Sequence, residues 1–148
     1  MKAVVQRVKN ANVSISDQIV GKCEIGALIL VCAMQNDTVS QAEKLASKIT
    51  KIRIYQDENH KMNHSLININ GSALVISQFT LAADLKRGNR PGFSEAAKPE
   101  IAKYLYNHFV SCLKQHGIST QTGEFGSEMA VNLINDGPVT ISLDTDQF

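Results

Sequence analysis

Two short segments of this 148-residue chain carry most of the side chains that could do chemistry. Ser77-Gln78-Phe79-Thr80-Leu81 ends a strand-like apolar run with three hydrogen-bonding side chains in four residues, where chain ends in sheets tend to present binding groups. A strand terminus whose Ser and Thr satisfy local backbone fits the same residues. Asn135-Asp136-Gly137-Pro138-Val139-Thr140 places a Gly-Pro pair between two strand-like runs. An ordinary turn is the plain reading, and a cis bond stays a candidate, because only about 5–6% of X-Pro bonds in folded proteins are cis. Signatures of the common hydrolases, nucleotide binders and zinc proteases are absent: there is no GxSxG, P-loop, GxGxxG or HExxH. His60 and His64 are four apart but lie in a polar loop with no third ligand, so they read as solvated rather than metal-bound. His108 and His116 belong to an expected helix, where His116 suits the C-terminal end of the dipole. Neither a metal nor a cofactor is implied.

Composition narrows the partners. Fifteen Lys and Arg against fourteen Asp and Glu give a net charge of +1, which argues against a protein held to nucleic acid by bulk positive charge. That balance conceals an asymmetry. Residues 115–148 hold no Lys or Arg and five carboxylates, so they carry −5 against +6 for residues 1–114. Cys23, Cys32 and Cys112 are odd in number, far apart and set among apolar neighbours, so no disulfide framework is expected and a reducing cytoplasm fits best. The opening residues lack a signal h-region, and no run approaches the ~18 apolar residues of a membrane span, so a soluble, unprocessed protein is expected.

The elements that must position these residues follow from periodicity. Ala3 to Val8 and Val13 to Ser16 alternate around Asn10-Ala11-Asn12, which predicts an opening β-hairpin, and Ile19 to Ile25 continues the alternation. Ala27 to Met34 is continuously apolar, as in a central strand covered on both faces. Thr38 and Gln41 have capping-box spacing, and Val39, Ala42, Leu45, Ala46, Ile49 and Ile52 then hold one apolar helical face. Arg53 to Gln56 reads as a short strand closed by the loop Asp57 to Lys61. Asn70-Gly71 between Ile67–Asn70 and Ser72–Phe79 predicts a second hairpin. A loop from Ala82 to Ser94 leads to a helix from about Pro99 to His116, ended by Gly117, with Ile101, Leu105, His108 or Phe109, and Cys112 as its buried stripe. Strands broken by Gly123, Gly126 and an Asp136-Gly137-Pro138 turn complete the chain. The sum is one α+β domain over residues 1–148, with mostly antiparallel pairing and two main helices.

With both segments in view, the sequence resembles the D-aminoacyl-tRNA deacylases. The likeness spans the chain: Ala3-Val4-Val5-Gln6-Arg7-Val8, Lys61-Met62-Asn63, Arg90-Pro91 with Phe93-Ser94, and Gln121-Thr122-Gly123 with Phe125-Gly126 and Met129 all fall where that family would place them. Either motif alone is weak; both in order, in a chain of this length, are strong. Departures are Cys32-Ala33 in place of a more typical Leu-Gly, and Asn36 where Gly is frequent. The resemblance implies a barrel-like sheet core and a homodimeric hydrolase that cleaves the ester between a D-amino acid and the 3′-terminal adenosine of tRNA. It implies a cis Gly137-Pro138 bond inserted into the partner subunit's pocket, with Arg7 holding that segment. The pocket wall would be Ser77, Gln78, Phe79 and Thr80, with Phe125 and Met129 nearby. Neither a membrane nor DNA is implied as a partner.

Ester hydrolysis needs a nucleophile, its activation and oxyanion stabilisation. Thr80 is the obvious protein nucleophile, yet neither motif supplies a base apart from Asp136 in its turn. The favoured route is assisted by the terminal ribose 2′-hydroxyl, with backbone amides around Phe79 and Thr80 as donors. Two Gly-Pro carbonyls would bind the α-amino group and fill the space of an L side chain, so selection is by clash and glycyl-tRNA should also be accepted. Two other readings stand beside this one: an editing hydrolase of different specificity, and a non-catalytic tRNA-binding or dimeric domain. Lys86, Arg87 and Arg90 are the expected tRNA contacts, with Lys48, Lys51 and Arg53 as a second patch; a solvated charged surface is the alternative for both.

Overall fold

A computed structural model describes all residues, Met1–Phe148. Strands β1 (Lys2–Ile15), β2 (Gln18–Cys23) and β3 (Gly26–Cys32) open the chain, followed by helix α1 (Val39–Lys51) and the short strands β4 (Arg53–Gln56) and β5 (Met62–Ser65). Next come β6 (Ser72–Ser77), a 3-10 turn (Phe79–Ala82), helix α2 (Pro99–Gln115), β7 (Ser119–Thr122) and β8 (Ala130–Asp144). The main sheet runs β2-β1-β3-β6-β7, with β8 also paired to β1, while β4 and β5 form a separate ribbon.

Four of the six strand pairings are antiparallel; β3 with β6 and β6 with β7 are parallel. The sheet nearly closes on itself. Its two ends, β2 and β7, return to each other: the Lys22 amide donates to Gln121 Oε1 at 2.9 Å. A Cβ on Gly21 would lie 2.4 Å from the Thr122 carbonyl oxygen, so only glycine permits this approach.

Strand alternation then sorts the core. Ala27, Ile29 and Val31 of β3 pack with Ala73 and Val75 of β6 under the helices, joined by Leu45, Ile49, Phe109 and Leu113. Leu28, Leu74 and Ile76 face the other way, onto Val8, Val13 and Cys23. Period-2 side-chain placement makes both sets out of the same continuous apolar runs. Phe109 is fully buried, a side chain whose truncation to Ala costs about 3–5 kcal/mol in such cores.

Several expectations are corrected. The opening is one long strand, because Asn10 keeps a negative-φ backbone and pairs with Ile134; the bend is absorbed by register shifts opposite β8. The real reversal is at Ser16-Asp17, both at positive φ (47° and 65°), joining β1 to β2 by a two-residue loop. Asn70 does take positive φ (55°), but Ile67–Asn70 is a turn and β6 lies parallel to β3, so no hairpin forms there. On α2, Ile101 is exposed and the buried stripe is Leu105, Tyr106, Phe109, Val110, Cys112 and Leu113. The Asp136-Gly137-Pro138 turn does not end a strand, since β8 continues through it. The Thr38–Gln41 capping box and the Pro99 start of α2 are as the sequence predicts.

Candidate active site

Strand β6 is buried from Ala73 to Ile76 and delivers Ser77 at its end. The Gln78 amide still donates to Val31 O at 2.8 Å, after which the chain winds into the 3-10 turn. The first residues of such a turn have no carbonyl one turn back, so the Phe79 and Thr80 amides donate to no other backbone group. Gln78 Nε2 donates to Thr80 Oγ1 at 2.6 Å. The Phe79 ring, 57% exposed, meets the Phe93 ring edge-on at 5.0 Å.

Beside this turn lies a cavity of about 660 Å³. Ser77, Gln78 and Phe79 form one wall and Phe125 and Met129 another, while Ala102 and Tyr106 of α2 face them. Lys86, Arg87 and Arg90 are exposed on the loop beyond. Reciprocal backbone hydrogen bonds between Asp84 and Gly92 (2.8 and 2.9 Å) pinch that loop, and Phe93 at its base lines the cavity.

None of the ionisable groups around the cavity hydrogen-bonds the Thr80 hydroxyl, whose side-chain partner is Gln78. Tyr106 donates to Val75 O at 2.9 Å, and burial pushes its phenol up to about 12. Burial likewise raises the Cys32 thiol, helped by nearby Asp37. The Met1 ammonium, 1% exposed, pairs with Asp37 at 2.7 Å and also meets Thr145 Oγ1, which fixes the Met1 part of the wall. Lys98 and Glu128 line the cavity without bonding Thr80. No cluster of three or more His, Cys, Asp or Glu stands where it could hold a metal ion.

Gly137, Pro138 and Arg7 lie elsewhere. Between the register pairs Gln6–Thr140 and Val8–Asn135, β8 carries four residues against a single residue on β1, so the segment around Gly137-Pro138 leaves the ladder. Both residues are exposed, and the bond between them is cis. Asn135 staples the base of this excursion: its Oδ1 accepts from the Val139 amide at 2.8 Å, and its Nδ2 donates to Val139 O at 3.1 Å. The Arg7 guanidinium, with the residue 5% exposed, clamps it by donating from Nε to Asp136 O at 2.7 Å and from Nη1 to Ile54 O. Gly137 takes φ 145°, and a Cβ there would come within 2.9 Å of Arg7 Nη2.

The structure therefore gathers Ser77, Gln78, Phe79, Phe125 and Met129 around the cavity, leaves Thr80 exposed just outside the lining and tied to it through Gln78, and gathers Arg7, Gly137 and Pro138 separately. Arg7 pairs with Ala27, whereas the cavity begins at Val31. Four residues of strand separate them, roughly 13 Å. Within one chain the two groups do not meet.

The residues sequence reasoning missed are Met1, Tyr106, Asn135 as a staple, and the Ile54 carbonyl. Only Asn135 stood in a quoted motif; the others act through backbone or through long-range packing that leaves no local pattern.

A family model described as D-Tyr-tRNA(Tyr) deacylase matches residues 4–144. The chain belongs to that family. A relative from Jannaschia sp. (strain CCS1), named D-aminoacyl-tRNA deacylase, is 59% identical over 98% of this chain and 99% of its own. Among solved structures, one named c-Myc DNA Unwinding Element Binding Protein superposes with a TM-score of 0.92 at 35% identity, covering 97% of this chain and 98% of its own. Another, a probable eukaryotic D-amino acid tRNA deacylase, has a TM-score of 0.83 at 14% identity, covering 96% and 97%, and shares the fold. The chain is thus a hydrolase of the deacylase class acting on an aminoacyl ester.

Proposed function

We propose that the chain removes D-amino acids, and glycine carried on mischarged tRNA, from the 3′-terminal adenosine of tRNA in the cytoplasm, acting as a homodimer. The observation that carries this reading is the division of the site. The cavity beside Ser77–Thr80 lacks the Gly137-Pro138 segment, and that segment projects from its own ladder with both residues exposed. In the dimer, the partner subunit's Gly137 and Pro138 enter the cavity. Their carbonyl oxygens receive the substrate's α-ammonium and occupy the volume an L side chain would need, so stereoselection works by clash.

Water attacks the ester carbonyl carbon, the bond to the ribose 3′-oxygen breaks, and the departing oxygen gains a proton. The neighbouring 2′-hydroxyl orients the water and relays that proton. The free amides of Phe79 and Thr80 face the developing oxyanion, a type of donor worth about 2.7–4 kcal/mol. Thr80 positions rather than attacks: its oxygen already accepts from Gln78, and no base reaches it. Lys86, Arg87 and Arg90 approach the tRNA backbone from the loop beside the cavity.

Matched D-tyrosyl-, L-tyrosyl- and glycyl-tRNA test the reading. Release of D-tyrosine and glycine with L-tyrosyl ester intact is expected. Cleavage of D-tyrosyl but not glycyl ester overturns selection by clash. Binding of tRNA with every ester intact favours the second reading, non-catalytic nucleic-acid binding, which the name of the 35%-identical relative raises.

A further inference from the structure

A second basic surface lies apart from the loop that carries Lys86, Arg87 and Arg90. Lys44, Lys48 and Lys51 recur at i, i+4 and i+7, which puts them on one face of α1. Together with Ser47 and Phe148 they line a shallow concavity. Arg53, grouped with Lys48 and Lys51 by sequence proximity, is outside it.

The lysines are held in place. Lys44 Nζ donates to Thr145 O at 3.0 Å, and Lys51 Nζ donates to Ser47 Oγ at 3.0 Å. The ammoniums of Lys44 and Lys48 sit 5.1 and 4.7 Å from the centroid of the Phe148 ring. None of the three forms an ion pair with a carboxylate, while the neighbouring Glu43 is taken by His108 at 3.0 Å. Lysines in the last turn of a helix complement its dipole, which accounts for Lys48 and Lys51 but not for Lys44, or for the ring on which Lys44 and Lys48 converge. Fixed ammoniums lose less freedom when they meet an anion.

This surface is joined to the cavity. The residue that accepts from Lys44, Thr145, also contacts the Met1 ammonium through its hydroxyl, and Met1 lines the cavity. Resting on the tRNA reading above, we infer that the Lys44–Lys48–Lys51 face is a docking surface for the sugar-phosphate backbone of the substrate RNA, away from its 3′ end. Its contacts supply affinity without touching the ester.

The triple variant K44Q/K48Q/K51Q separates this from the chemistry, with D-tyrosyl-tRNA and D-tyrosyl-adenosine as the two substrates. KM for D-tyrosyl-tRNA is expected to rise about tenfold at low salt with kcat unchanged, as three lost phosphate contacts would give. The slope of log KM against log salt should flatten by about two to three units. Hydrolysis of D-tyrosyl-adenosine, too small to reach α1, should not change. An unchanged KM and salt slope on D-tyrosyl-tRNA overturns the inference, as does an equal defect on both substrates, which would mean the lysines act through the fold. If the wild-type protein cleaves neither ester, the proposed activity fails, and binding of uncharged tRNA decides the surface independently. Wild-type binding that weakens about tenfold in the variant upholds it, and equal binding rejects it.

Discussion

At the cavity, backbone donors are left open and the walls are largely apolar; at the Gly137-Pro138 excursion, the base is fully clamped and the tip is exposed. The Phe79 and Thr80 amides have no backbone acceptor. Asp136 O, Val139 N and Val139 O all have side-chain partners, from Arg7 and Asn135. An open pocket can be built from side chains that pack elsewhere, because its rim is continuous with the core. A projecting loop has no core behind it, so its shape must come from hydrogen bonds made at its root. The difference teaches that the cavity and the excursion are specified independently within each chain.

That comparison can be broken most severely at the excursion. Arg7→Met keeps the apolar stem but leaves the Asp136 and Ile54 carbonyls without their donor. At about 1–3 kcal/mol for each buried group left unsatisfied, a loss of about 4 kcal/mol in denaturant-measured stability is expected. Deacylation should fall by about 100-fold or more, since a misplaced positioning element costs that much. Retained activity in a folded Arg7→Met protein would show that the excursion holds its shape without the clamp.

On the cavity side the corresponding anchor is the buried Met1–Asp37 pair. Asp37→Asn leaves the ammonium buried beside a neutral amide and should cost about 3 kcal/mol, the low end for breaking such a pair because the amide oxygen still accepts. Urea unfolding reads the stability, and KM reads the cavity wall. An unchanged midpoint would mean that the ammonium is not buried in solution.

Thr80→Ala sharpens the comparison further. If the open amides and the 2′-hydroxyl carry the chemistry, single-turnover deacylation should drop by less than about tenfold, the scale of one hydrogen bond. A loss of 10³ or more would restore Thr80 as the nucleophile. The smallest effect lies outside both regions. Hydrogen bonds from the Lys61 amide, then from Asn63 and Asn59, hold the Asp57 carboxyl below its usual range. Because the folded value is depressed, the stabilisation of the β4–β5 loop is present above the ordinary value near 3.8 and is lost as pH falls through the lowered one. Protection of the Asn59 and Lys61 amides, measured against their intrinsic exchange rates, should therefore fall only in acid, while the Ala27–Val31 core stays protected.

Much of the fold was legible locally. The capping box at Thr38–Gln41, the continuous apolar run that becomes β3 and the Pro99 start of α2 all depend on near neighbours, and all three are in the structure. The opening hairpin and the Asn70-Gly71 hairpin, both of which the sequence predicts, are absent for one reason. A turn-forming dipeptide records what the backbone tolerates, while pairing is decided by strands distant in sequence, here β8 for β1 and β3 for β6. In the site, the motif residues at 77–80 and 135–140 carried a signal because their side chains are unusual for a strand end. Met1 carried none, because its role depends on Asp37 and Thr145, the latter 144 residues away.

By itself the sequence determined the class of the protein, its two helices and central strand, and the two motifs through which it resembles the deacylases. Apolar periodicity and local hydrogen-bonding chemistry suffice for that. Only the tertiary structure decided that the sheet curls until Gly21 meets Thr122, that Arg7 reaches across to Ile54, and that the two motifs stand apart within one chain. Those outcomes depend on sheet twist and on packing between residues far apart along the chain, and neither is written in any window of neighbouring residues.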